Sequence, residues 1–222
     1  GLDTSKLEAA YTCPRAWAAF KPGTVTLCSP DPQAYRVAED GANTLHVGLP
    51  TNFKAAIFED EAHNRILRDL EAAIDAVTVE GKDVPVKLRV FDSIYVPFAK
   101  WSMLLTGNYR CVLPEGARPI KEAVHGDVAL SEKIYSTVDE VVRRLGAEAD
   151  DAVPFTKYAS AANGLLKPSS AARAIEGGAD RIERVDMLVK LIADQQGLDC
   201  AEFSGIVDTV NARLKANRRD AA

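Results

Sequence analysis

At 222 residues the chain is long enough for one large domain or two small ones, and 47% hydrophobic with 27% charged residues is ordinary for a soluble globular protein. A net charge of −5 and a pI near 5.3 argue against a nucleic-acid footprint. No apolar run approaches the ~20 residues needed to cross a bilayer, and no signal peptide is visible.

Four cysteines, Cys13, Cys28, Cys111 and Cys200, lie far apart without a C-x-x-C pair, and the histidines do not cluster. That usage suits a reducing cytoplasm better than a disulfide framework, and it offers no metal site. The expectation is a cytoplasmic protein with neither nucleic acid nor membrane as partner. Gly1 stands where a start methionine would be, which is expected to mark a cleavage scar with Leu2 internal to a longer protein.

Short strand signals come first. Thr24–Leu27 and Thr44–Val47 are apolar or alternating and bounded by Gly, Pro, Asp or Asn, and Ala55–Phe58 offers a third. Ile66, Leu70, Ile74 and Val77 then recur as one face of an amphipathic helix that Gly81 is expected to stop. Val84 to Val90 alternates as a half-buried strand. Residues 1–91 therefore read as a small α/β segment without the glycine fingerprint G-x-G-x-x-G of a dinucleotide site.

Residues 92–222 read as all helix. Ile94, Phe98, Trp101, Leu105, Asn108 and Val112 form one stripe, with a helix that either begins near Pro97 or kinks there and that Leu113–Gly116 ends. Val128, Tyr135, Val138, Val142 and Leu145 form the next, closed by Gly146. Val153–Leu166 is an alanine-rich helix, Ile182 to Gln196 an amphipathic one, and Phe203 to Leu214 the last. Arg213, Arg218 and Arg219 are expected to be a solvated tail on a frayed end.

Asn108 is the most telling residue, because a buried amide must find partners or cost roughly 1–3 kcal/mol. A core amide bonded to a neighbouring backbone and a ligand-binding amide both fit. Lys100 lies eight residues earlier, about 12 Å along a helix axis and rotated by roughly 80°. It can snorkel to solvent or serve as a proton donor to a developing alkoxide. Ser169 and Ser170 can be simple helix caps or ligand hydroxyls.

These residues, in this order, resemble the C-terminal region of the ketopantoate reductase family (2-dehydropantoate 2-reductases). Phe98-Ala99-Lys100 matches the W-x-K-type opening of the family's long helix, with Phe for Trp, and Asn108 matches a later asparagine. Leu104 stands where the family has its nearer asparagine. Ser169-Ser170 matches a serine-rich turn, with Ala174 replacing its aspartate, and Glu183 stands one residue out of register with a Thr-Glu-Ile.

The resemblance implies a mainly α fold. It would be a helical bundle of 6-phosphogluconate dehydrogenase C-terminal type at 92–222, for substrate binding and dimerisation, behind the end of a nucleotide-binding domain at 1–91. It implies an NADP-dependent oxidoreductase reducing a small 2-oxo acid. Lys100 would be catalytic and Asn108, Ser169, Ser170 and Glu183 would bind substrate. NADP would belong to the intact protein and not to this chain, and the helical domain could form a homodimer. A non-catalytic binding or dimerisation module on the same scaffold is the alternative.

Overall fold

The computed structural model describes residues 1–29, 39, 41, 44, 51–84 and 86–220. The chain forms two compact units, one from Ala16–Pro97 and the other from Gly1–Arg15 together with Phe98–Ala222. The expected division after residue 91 thus falls at Phe98, and the first fifteen residues join the helical unit. Leu7 explains why: it is buried in the helical core, and Asp3 exchanges hydrogen bonds with the side chain of Gln195 at 2.8 and 3.2 Å.

The smaller unit holds a three-stranded sheet ordered β1-β2-β5, with β1 at Cys28–Ser29, β2 at Thr51–Ala56 and β5 at Val86–Phe91. β1 runs antiparallel to β2, while β2 and β5 are parallel in a register from Thr51↔Val86 to Ala56↔Phe91. Helix α1, Glu61–Asp75, connects the parallel pair as a βαβ unit. Thr24–Leu27 is not itself a strand. It lies beside β2 through Thr26 Oγ1 on the Ala56 and Ile57 carbonyls, and ladder pairing begins at Cys28. Of the stretch Thr44–Val47, residues 45–47 lie outside the described residues.

Asp60 caps α1 by accepting from the Ala62 N–H, and Asn64 bonds both main-chain groups of Phe58. Glu71 accepts from the Val90 N–H at 3.1 Å and Arg68 donates to the Val90 carbonyl at 2.8 Å. Side chains of α1 thereby occupy a position where another strand could pair. The expected apolar face of α1 is corrected: Leu67 and Ile74 pack on Ala55, Leu88 and Val90, while Ile66 and Leu70 are exposed. Among the described residues the sheet covers only part of the helix's apolar stripe. Gly81 does not stop α1, which ends at Asp75. With Glu80 it forms the positive-φ turn (φ 52° and 74°) of a hairpin between β3, Thr78–Val79, and β4, Lys82–Asp83.

The larger unit is helical. Its elements are α2 at Ala99–Met103, α3 at Ile120–His125, α4 at Val128–Arg144, α5 at Phe155–Ala162, α6 at Ser170–Glu176, α7 at Val185–Gln195 and α8 at Ala201–Asp220. Leu105, Val124, Ile134, Val138, Val189, Phe203 and Val210 form a core with almost no exposure. Each contributes roughly 1.5–3 kcal/mol by leaving water. Asp127 caps α4 through the Leu130 N–H, and Gly146 leaves that helix with φ 119°.

The C-terminal basic cluster is not a frayed tail. Arg213 donates to the carbonyls of Leu113 and Gly116, both at 2.8 Å, and Arg218 donates to that of Asp180. Among the described residues no helix is long and apolar enough to cross a membrane.

The stripe expected as one helix that begins or kinks near Pro97 does start there, and its later part is composite. A 3-10 turn at Val96–Phe98 precedes α2, a π-turn spans Leu104–Asn108, and a 3-10 turn at Tyr109–Cys111 closes it. Ile94 is exposed and Val112 is already extended. Gly107 sits in the π-turn where a Cβ would lie 2.0 Å from the Tyr158 hydroxyl. Tyr158 cannot easily retreat, since it is buried, stacked on Tyr135 and bonded to the Met103 carbonyl at 3.1 Å. Gly107→Ala should therefore cost about 1–3 kcal/mol despite alanine's better helix propensity. In a Tyr158→Phe background the same change should cost less, because the clashing oxygen is gone. Chemical denaturation of the four proteins in this cycle measures the difference; equal costs in both backgrounds would refute the steric account.

Candidate functional site

The π-turn decides where the candidate residues stand. Its turns are wider than those of an α-helix, so the eight residues from Lys100 to Asn108 span closer to two whole turns. The offset of roughly 80° expected on a regular helix is thereby reduced, and the two residues come nearer to one side. Lys100 is half-buried in α2.

Asn108, on the apolar stripe and expected to be largely buried, is half-buried. The extra residue of the π-turn moves it off the buried side, which Leu105, Thr106 and Gly107 occupy instead. No hydrogen bond to a described residue engages its side-chain amide.

Ser169 is 2% exposed and comes to Asn108 directly, its Oγ donating to the Asn108 carbonyl at 2.7 Å. The same oxygen accepts from the Ala172 N–H at 3.1 Å as the cap of α6. Ser170 is exposed, as is the Glu183 side chain. What Glu183 supplies is its carbonyl, which accepts from the Tyr109 hydroxyl at 2.7 Å, while that hydroxyl accepts from the Val185 N–H at 3.0 Å. Two adjacent residues, Asn108 and Tyr109, therefore hold the Ser169 turn and the start of α7 together.

Several polar residues here escaped the sequence reading. Arg110 is 8% exposed and donates to fully buried Ser131 at 2.7 Å. Asp186 is fully buried and forms a two-pronged pair with Arg184, both bonds at 2.9 Å, and Arg184 reaches Asn211 of α8 at 2.7 Å. Arg110 lies off the stripe of Leu105, Asn108 and Val112, and its acceptors include Ser131, 21 residues away, so no local signal in the sequence marked its burial. Burial, and then the charge of Asp186, push the Tyr109 phenol well above its ordinary pKa. With both of its hydrogen-bonding roles filled, it is a brace and not a proton donor. Burial likewise raises the Cys111 thiol, which lies beside Ser169 and donates to the Gly107 carbonyl at 3.3 Å.

Among the described residues no group of three or more His, Cys, Asp or Glu could hold a metal ion. The βαβ unit offers a helix start of the kind that receives a dinucleotide pyrophosphate, but Glu59, Asp60 and Glu61 stand there without a glycine. Three carboxylates would repel that diphosphate, so this helix start does not fit NADP.

Compared with protein-family models, with curated proteins and with solved structures, the chain matches none.

The double role of Ser169 gives a stability prediction. Ser169→Ala leaves the Asn108 carbonyl and the Ala172 N–H unpaired and should cost about 1–2 kcal/mol. Exposed Ser170→Ala should stay within about 0.5 kcal/mol. Urea unfolding of both variants checks the order, and a larger loss for Ser170→Ala would reverse the assignment.

Proposed function

We propose that the helical unit binds the substrate of an NADP-dependent oxidoreductase resembling ketopantoate reductase, with a fold of 6-phosphogluconate dehydrogenase C-terminal type. The reaction is reduction of the ketone of a small 2-oxo acid in the cytoplasm. The nicotinamide is carried by a part of the protein outside this chain, in keeping with the acidic start of α1. A homodimer through the helical unit belongs to the same reading.

The observation that carries it is the convergence on Asn108 and Tyr109. Residues 61 and 74 positions apart in sequence, Ser169 with Asn108 and Glu183 with Tyr109, are joined by hydrogen bonds of 2.7 Å. These are the stations where the resemblance puts substrate contacts. Lys100 holds a proton within reach of the same side of the helix and delivers it to the ketone oxygen. Asn108 orients the substrate through its amide, and Ser170 offers its exposed hydroxyl. Apolar Leu104, where the family has an amide, and the displaced Glu183 point to a substrate other than ketopantoate.

The second reading, a non-catalytic binding or dimerisation module, is favoured by the structural use of Ser169 and the exposure of Glu183. The two separate by experiment. Calorimetric titration of the chain with 2-oxobutyrate should show binding that Asn108→Leu abolishes while the unfolding temperature holds or rises. In the protein together with its nucleotide domain, Lys100→Ala should lower turnover about 100-fold. Lys100→Arg should not restore it, because a guanidinium holds its proton too tightly. Absent 2-oxobutyrate binding, or full turnover in Lys100→Ala, would leave the module as the better account.

A further inference from the structure

Arg110 buries its guanidinium without a carboxylate in ion-pair range among the described residues. Its Nη1 donates to the Thr106 carbonyl at 3.2 Å and to Ser131 Oγ at 2.7 Å, and Ser131 passes its own proton to the Val124 carbonyl. Nε and Nη2 take no acceptor among the described residues. Arg118, half-buried, lies against it, with Nε on the Arg110 carbonyl at 2.8 Å. It too lacks a carboxylate partner there, and its two terminal nitrogens are unspent. Burial, followed by the charge of Arg118, pulls Arg110 below the ordinary arginine range.

No carboxylate among the described residues pairs with either guanidinium. Free carbonyls at a helix C-terminus amount to about half a charge, against two guanidiniums. The charge of Asp127 acts on Arg110, but Asp127 is exposed and its Oδ1 is committed to the Leu130 N–H. A paired cation surplus in a half-dehydrated corner gains from an oxoanion, and a guanidinium fork accepts one through two parallel hydrogen bonds. Cys111 links the corner to the candidate site, since its thiol lies in the field of both arginines and beside Ser169.

We infer that Arg110 and Arg118 form a subsite for a small oxoanion, with Arg118 as the fork that grips it and Arg110 as the fixed charge behind. Resting on the 2-oxo acid reading of the neighbouring site, the group bound is the substrate's carboxylate. Arg118 then sets specificity for an acid over the corresponding ketone or amide.

The test titrates the full chain calorimetrically, at low salt, with inorganic sulfate and with 2-oxobutyrate. Both should bind. Arg118→Gln should weaken both by at least about tenfold, the scale of a lost charge-assisted pair; because it also removes the Nε bond to the Arg110 carbonyl, it should lower the unfolding temperature, and binding is compared well below that temperature. Arg118→Lys, a point charge without the fork, should recover only part. Asn108→Leu should abolish 2-oxobutyrate binding and leave sulfate unchanged. Sulfate that fails to bind, or binds Arg118→Gln within twofold of the parent, overturns the subsite. In that event 2-oxobutyrate binding that still depends on Asn108 would leave the substrate reading standing. Sulfate held by Arg118 with no 2-oxobutyrate binding would uphold the oxoanion subsite and remove the 2-oxo acid reading instead.

Discussion

The helix that ends at Cys111 finishes inside the protein, and its last carbonyls must all be satisfied there. A helix end leaves four such groups without intrahelical partners, each costly if buried unpaired. Here every one is met. The Asn108 carbonyl takes the Ser169 hydroxyl, that of Tyr109 takes the Val112 N–H, that of Arg110 takes Arg118 Nε, and that of Cys111 takes the Arg118 N–H. The partners come from distant parts of the sequence, so satisfying this end also fixes the chain reversal before α3 and the start of α6. Tyr109 extends the scheme to α7 through its phenol.

Around this helix end the buried polar groups act as fasteners. Arg184 and Asp186 hold α7 to Asn211 of α8, and Asn217 of α8 donates to the Ile175 and Ala179 carbonyls behind α6, both at 2.8 Å. Removing one partner of the Arg184–Asp186 pair would strand a buried charge, a loss far larger than the pair's net contribution. Such groups specify one arrangement of helices where apolar packing alone would tolerate several.

The long helices were legible because α4, α7 and α8 repeat apolar residues every three or four positions, with Asp127 and Gly146 as punctuation. Six-residue α3 was not, since so short a run has no period to read. The stripe on α1 was read as one face of an amphipathic helix, and the helix is there as far as Ile74; periodicity gives a face, while what packs beneath decides how much of it is covered. Ser169 was visible as a cap, but its bond to Asn108 spans 61 residues and no local signal announces it. The π-turn was invisible for a related reason. One inserted residue leaves the pattern nearly intact, and it is the hydroxyl of Tyr158 against Gly107, from another helix, that makes the wider turn fit.

That inserted residue is also what connects the fold to the candidate chemistry. On a regular helix Asn108 would follow Leu105 and Trp101 into the core, where its amide would be a liability to be satisfied by backbone. The π-turn sends Thr106 and Gly107 inward instead, and the hydroxyl of fully buried Thr106 finds no partner among the described residues, a local cost of the arrangement. In exchange Asn108 keeps its backbone on Ser169 while its amide remains half-exposed, nearer to the side that carries Lys100. A π-turn is less favourable than the α-helical turn it replaces, and such turns are frequent at functional sites. Tyr158 against Gly107 gives this turn its packing reason, and its place between Lys100 and Asn108 is where the fold meets the candidate chemistry.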